Sequence, residues 1–277
     1  MKILQIIATL LLLCSPARAD FFQSYIATST PGIASIGGNG NDTFVLLPMI
    51  GADTSTTFTN TAVGPGAPAF TAVGNAQIDT GQTDPWALSP GVGLFDADGD
   101  HLSTTTAADF RFLHIPNAVW SLDFRAKPSS FGVSGINIID NTAGSSASVG
   151  IFLYITNARD IQIDIVRGFA GTHVLSGSLG TYPNDTAGWH HVAVTCDLSL
   201  ASNNVRLAID GVWGSYLSKT ANAPSTSDPT YSLRLGQFQG GAGYSYDGAM
   251  AEFRINKVIP AEYAENFTPK TGRYTTE

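Results

Sequence analysis

The sequence predicts an all-β fold, a sandwich or a barrel, on three observations. Short apolar or alternating runs recur between turn signals from Thr43 to Ile255, the spacing of antiparallel strands joined by tight connections. Stretches with a 3.6-residue apolar period are almost absent, and the one helical turn expected covers residues 261–266, just after Pro260. The composition agrees: the 277 residues include 29 Gly and 14 Pro, with 43% hydrophobic and 10% aromatic side chains. That is enough apolar surface to bury a core.

The strands follow one another in order. Residues 44–47 are an apolar run, followed by Gly51-Ala52-Asp53 and a Thr-rich stretch around Phe58. Gly93-Leu94-Phe95 leads into Asp96-Ala97-Asp98-Gly99-Asp100, a hairpin signal because Asp-Gly tolerates positive φ. Residues 119–125, 136–140, 149–155 and 161–166 come next, the last with Ile161, Ile163 and Ile165 on one face. Alternation returns at 190–196 and 205–209, and Asp210-Gly211 forms the turn after them. Residues 231–235 and 249–255 close the series. No internal repeat and no second core interrupts it, so residues 43–277 form one domain.

Two segments precede that domain. Residues 1–19 read as an export signal: Lys2 is the positive start, residues 3–14 are apolar, and Ala17-Arg18-Ala19 is a small-x-small cleavage pattern. The apolar run falls short of the roughly 20 residues that span a bilayer, so no membrane span is expected and the location is secreted, extracellular or on a virion surface. Residues 20–42, with Gly37-Gly38-Asn39-Gly40, read as an arm or linker whose Phe21, Phe22 and Tyr25 dock on the domain or on a neighbour. Homo-oligomerisation through this arm is one expectation. Removing the signal leaves Cys196 as the sole cysteine, which excludes an internal disulfide. Its alternating apolar segment suits a small buried hydrophobe.

Charge narrows the partners. Only 13% of residues are charged and the net charge is −8, so the chain lacks the basic footprint that displaces phosphate counterions, and nucleic acid is not an expected partner.

Three blocks, in order, resemble the laminin-G-like branch of the concanavalin A-like lectin/glucanase superfamily. The first is the hairpin from Gly93 to Ser103 with the strand at 120–125 after it. The second is Gly188-Trp189-His190-His191-Val192-Ala193-Val194-Thr195 with the strand and Asp-Gly turn at 205–211. The third is Leu233-Arg234-Leu235-Gly236 with the closing run from Tyr246 to Ile255. Residues 44–58 and 263–269 are similar to the opening and tail of laminin-G-like domains in phage and other virion structural proteins. The resemblance implies a two-sheet antiparallel jelly-roll β-sandwich with a non-catalytic binding role, its partner a glycan or a cell-surface or virion protein. A structural decoration or fibre subunit is the alternative, and a glycoside hydrolase of the same fold ranks below both.

The chemistry of the chain points the same way. A retaining glucanase needs two carboxylates about 5–5.5 Å apart, and no Glu-x-Asp-x-x-Glu run exists; Glu252 stands alone, and Asp160 and Asp164 share a strand face as solvated positions. No Gly-x-Ser-x-Gly elbow is present. His190 and His191 are adjacent, so they point to opposite faces of a strand, one bonded at the sheet edge and the other packed. No catalytic residue is therefore assigned. A calcium ion is the one cofactor considered. The resemblance places its ligands at Met49 and Ala251, which cannot coordinate through their side chains, and leaves Asp53 and Asp247 as candidate metal residues. Aromatic residues in loops present surface to ligands, which nominates Tyr244 and Tyr246 in the Gly-rich loop 237–247, with Trp86 and Trp213 beside turns. Trp120 and Trp189 are expected in the core.

Overall fold

The computed structural model describes residues 42–274 apart from 65, 83, 85, 87–90, 97, 98, 187 and 242. The export signal, all of the arm but Asp42, and the hairpin tip at Ala97 and Asp98 lie outside the described residues.

Among the described residues, fifteen strands make two antiparallel sheets. They are β1 (Thr43–Leu47), β2 (Thr71–Val73), β3 (Gln77–Asp79), β4 (Val92–Phe95), β5 (His101–Ser103), β6 (Val119–Ser130), β7 (Ile136–Asp140) and β8 (Val149–Ile155). The rest are β9 (Asp160–Arg167), β10 (His173–Thr181), β11 (His190–Asp197), β12 (Val205–Ile209), β13 (Val212–Trp213), β14 (Arg234–Leu235) and β15 (Asp247–Asn256). One sheet runs β13-β12-β11-β6-β15-β4-β3, with β1 also on β15; the other runs β10-β9-β8-β7-β14-β5-β2. Every pairing is antiparallel and the order interleaves early and late strands, as the jelly-roll expectation requires.

Period-2 alternation builds the core between the layers. In the seven-stranded sheet Ile151, Leu153 and Ile155 face Ile165, Ile163 and Ile161 across the β8–β9 ladder, and all six are buried. Each such side chain contributes roughly 2 kcal/mol on burial. From the eight-stranded sheet Trp120, Leu122, Phe124 and Ala126 of β6 and Val192, Val194 and Cys196 of β11 point inward to meet them. The Trp120 indole donates to the Leu113 carbonyl at 2.9 Å, which leaves no polar orphan on that ring.

The structure departs from the sequence reading in several places, beginning with β2 and β3, which fall where no strand is predicted. Strand β10 has no counterpart in the predicted series, because Gly177 and Gly180 break its apolar pattern. A Cβ at either would lie 3.3 Å from Leu217 or Leu207, respectively, so these glycines let β10 close against neighbouring side chains. A 3-10 turn covers Ala108–Leu113, burying Phe110 and Leu113, in addition to the expected one, which is shorter and spans Ala261–Tyr263. Trp189 is not a core residue: it lies half-buried against Val92, Ala249 and Ala251, on the side of the eight-stranded sheet opposite the core.

Candidate functional site

A sandwich has two outer sheet faces, and this one covers the first with its own chain. On the outer face of the eight-stranded sheet, Ala193 and Ala208 pack with Tyr263, Trp213, Ile259 and Phe267. Beneath that C-terminal strap lie buried charges. Asp123 accepts from Arg254 Nε at 2.9 Å, and His191 Nε2 lies 2.8 Å from the Tyr274 hydroxyl. Burial opposes ionisation of Asp123, but Arg254 and His191 overcome it and hold its carboxyl down at about 2. Arg125 is fully buried against Asp84, donates to the carbonyls of Lys270 at 2.7 Å and Gly272 at 2.8 Å, and stacks between Trp86 and Tyr274. The bonds from Arg125 to the Lys270 and Gly272 carbonyls fasten the strap to the sheet.

Trp86 and Trp213 belong to that sealed side. Trp213 packs on Tyr263 and Phe267 with Arg206 over its ring at 4.1 Å, and its indole donates to the Glu265 carbonyl at 2.7 Å. Both nominated tryptophans are half-buried and hold loops and tail to the sheet. A cavity of about 160 Å³ remains under the strap, lined by His191, Tyr263, Phe267, Thr268, Tyr274 and the Glu262–Lys270 ion pair.

The outer face of the seven-stranded sheet carries a different surface. Alternation sends Phe152 and Tyr154 of β8 outward, opposite Asp164 and Gln162 of β9, and Ser176 and Ser178 of β10 extend the same two rows. Phe152 and Tyr154 stack with ring centroids 4.3 Å apart and 17° between planes. Tyr244 stands edge-on to both, 6.2 and 6.0 Å away, and Phe238 closes the group at 5.6 Å from Phe152 and from Tyr244. Phe152 is the base of this cluster at 6% exposure, whereas Tyr154, Phe238 and Tyr244 are half-buried and show ring surface to solvent.

Polar groups rim the aromatic surface. The Tyr154 hydroxyl donates to Gln162 Oε1 at 2.7 Å, Gln162 Nε2 donates to Asp160 at 2.8 Å, and Ser178 donates to the other Asp160 oxygen. Beside Tyr154 on β7 sits Asn137, fully buried, with neither amide atom hydrogen-bonded. Burial first, and then the charges of Asp164 and Asp160 and the neighbouring Tyr244, push the Tyr154 phenol up to about 12, so it stays a hydrogen-bond donor at neutral pH.

Of the nominated residues, Tyr244 therefore lies on this surface and Tyr246 does not. Tyr246 is 0% exposed, packs edge-on against Phe95, and donates its hydroxyl to the Ala249 carbonyl at 2.8 Å. Two positions along an extended segment place successive aromatics on one side only while the segment stays regular, and the Gln237–Ser245 bridge folds this loop back on itself. Sequence reasoning missed Phe152 and Tyr154. The signal was present in the alternation Gly150, Phe152, Tyr154 against Ile151, Leu153, Ile155, which sends aromatics to the face opposite an aliphatic core.

The two candidate metal residues do not converge. Asp53 accepts from Thr80 N at 3.0 Å and Thr80 Oγ1 at 3.1 Å, just past β3 where Asp79 pairs with Val92, the first residue of β4. Asp247 accepts from Ser130 at 2.9 Å and precedes Gly248, which pairs with Phe95 at the opposite end of β4. Three residue steps of strand, roughly 10 Å, separate them. Among the described residues no three His, Cys, Asp or Glu side chains are placed to hold a metal ion, and Asp53 and Asp247 do not share one site.

A family model described as the concanavalin A-like lectin/glucanases superfamily matches residues 96–262. The chain belongs to that superfamily. Among solved structures, the binding domain of botulinum neurotoxin serotype D is 14% identical with a TM-score of 0.54, over 79% of this chain and 49% of that one. The structure titled for botulinum neurotoxin type C cell entry through two ganglioside molecules is 14% identical at a TM-score of 0.50, over 79% and 48%. A Ruminococcus gnavus sialidase CBM40 bound to α2,3 sialyllactose is 17% identical at 0.41, over 53% of this chain and 80% of that one. A search of curated proteins found no match. At these identities the likeness is one of fold, and this chain spans about half the length of the neurotoxin domains.

A superfamily that contains glucanases makes the carboxylates on the open face worth measuring. Asp160 and Asp164 share one side of β9, as alternation predicted, but four residue steps put them roughly 13 Å apart, beyond either hydrolytic geometry. Asp140 flanks Phe152 from β7, yet its oxygens are taken by Thr142 N and Oγ1 at 2.7 and 2.8 Å and by Gln239 N at 2.8 Å, and it is 0% exposed. Burial raises its pKa, but the Gln239 loop covers it. His190 and His191 take opposite faces as expected, His190 Nδ1 lying 2.7 Å from Asp210 and His191 packed under the strap.

Proposed function

We propose that the chain is an exported, non-catalytic carbohydrate-binding module that holds a glycan on the outer face of its seven-stranded sheet. The observation that carries this reading is the surface of Tyr154, Phe238 and Tyr244 over Phe152, bordered by Gln162, Asp160 and Asp164. A sugar ring has apolar faces and a hydroxyl rim, so it needs this pairing of flat aromatic carbon with acceptors and donors at the edge. Among the described residues the strap covers the opposite sheet face and leaves this one open. Membership of a lectin-containing superfamily supports the reading.

A glycan array probed with the chain and with Tyr154→Ala tests it. The expectation is binding to a defined subset of glycans by the first and at least a tenfold loss by the second. Equal binding by both, or none by either, counts against this face.

A further inference from the structure

Building on the glycan-binding reading, we infer that this face selects sugars that are neutral or carry an amino group and rejects those that carry a carboxylate. The argument starts from the charges the strands place there. Gln162 lies between Asp160 and Asp164 on the outer side of β9, and Tyr154 lies directly across from Gln162. A ring stacked on Tyr154 is therefore flanked by two carboxylates, each two residue steps, roughly 7 Å, along the strand.

The two acids differ in what they have to offer. Asp160 is engaged by Gln162 and Ser178. Asp164 is half-exposed between Phe152 and Ser176 and makes no side-chain hydrogen bond among the described residues, so its acceptor capacity is open. A hydroxyl or an ammonium group supplies the donor it lacks; a sugar carboxylate supplies only a second negative charge.

The cations on the face do not offset this. Arg234 of β14 lies two strands from Phe152, and its guanidinium is turned to the loop, donating to Gln237 Oε1 at 3.4 Å and to the Phe238 carbonyl at 3.2 Å. Asp140 stands between it and Phe152. His101 of β5 is held toward its neutral form by burial. A like charge about 7 Å away, at an effective dielectric between those of a protein surface and of water, weakens binding roughly tenfold for each pair.

The test uses matched glycans in isothermal titration at 50 mM and 500 mM NaCl: N-acetyllactosamine with its α2,3-sialylated form, galactotriose with trigalacturonate, and acetylated with deacetylated chitotriose. Expected is at least tenfold tighter binding of the non-anionic member of each acidic pair that binds. Salt should narrow that gap, and Asp164→Asn, checked for native circular dichroism, should narrow it at least threefold. An acidic member that binds as tightly as its neutral partner overturns the charge selection and leaves the glycan-binding reading standing. Failure of every probe sinks that reading, and the selection falls with it.

Discussion

Tyr244 and Tyr246 are two residues apart in one loop, yet the structure gives them opposite duties, and truncating each to alanine separates those duties. Tyr246 is sealed in the core with its hydroxyl on the Ala249 carbonyl. Removing a buried aromatic ring costs roughly 3–5 kcal/mol, and at about 2–4 °C per kcal/mol for a domain of this size the melting temperature should fall by roughly 6–20 °C. Tyr244 is half-exposed and touches Phe152, Tyr154 and Phe238 by ring edges. Its loss forfeits aromatic contacts of roughly 1 kcal/mol, a shift of a few degrees, but removes part of the sugar surface, where a central aromatic carries 2 kcal/mol or more of binding. Calorimetric melting and glycan titration on both variants read the two effects. The reasoning is refuted if Tyr246→Ala melts with the parent, or if Tyr244→Ala unfolds as early as Tyr246→Ala.

The remaining predictions concern the strap and the core. Asp123→Asn removes the buried partner of Arg254, leaving it only the half-exposed Glu262 at 3.6 Å, and should cost roughly 3 kcal/mol at pH 7. The carboxyl of Asp123 is held near 2 in the fold, below its unfolded value of roughly 4, so its contribution is complete above that value and is lost as pH falls toward 2; the gap between parent and variant should close over that range in acid-unfolding curves. Gly211 has φ +82°, a Cβ there would fall onto the Phe267 carbonyl oxygen, and that residue's N–H bonds the Gly211 carbonyl at 2.9 Å. Gly211→Ala should therefore cost about 2 kcal/mol or more and speed proteolysis within the strap. Cys196 is buried, with its thiol pushed up by burial, and should react with a thiol reagent only at the rate of unfolding; rapid labelling of the native protein would contradict its placement.

Strands with a buried face on a regular ladder were legible in the sequence: the limits predicted for β7, β8 and β12 match those observed, since alternation encodes which side is dry. β10 was not, because its glycines answer to Leu207 and Leu217, which are distant in the chain. The same division runs through the site. The order of motifs fixed the superfamily, and the alternation of β9 put Asp160 and Asp164 on one face. Which aromatics meet those acids depends on how the loop carrying Phe238 and Tyr244 folds across β8, and no local pattern records that. Nor does any local pattern say that residues 257–274 lie over the eight-stranded sheet and pack against Trp86 and Trp213. A strand's periodicity is a property of neighbours along the chain. The choice of which outer face stays open is made by contacts between residues as far apart as Arg125 and Gly272, and only the assembled layers decide it.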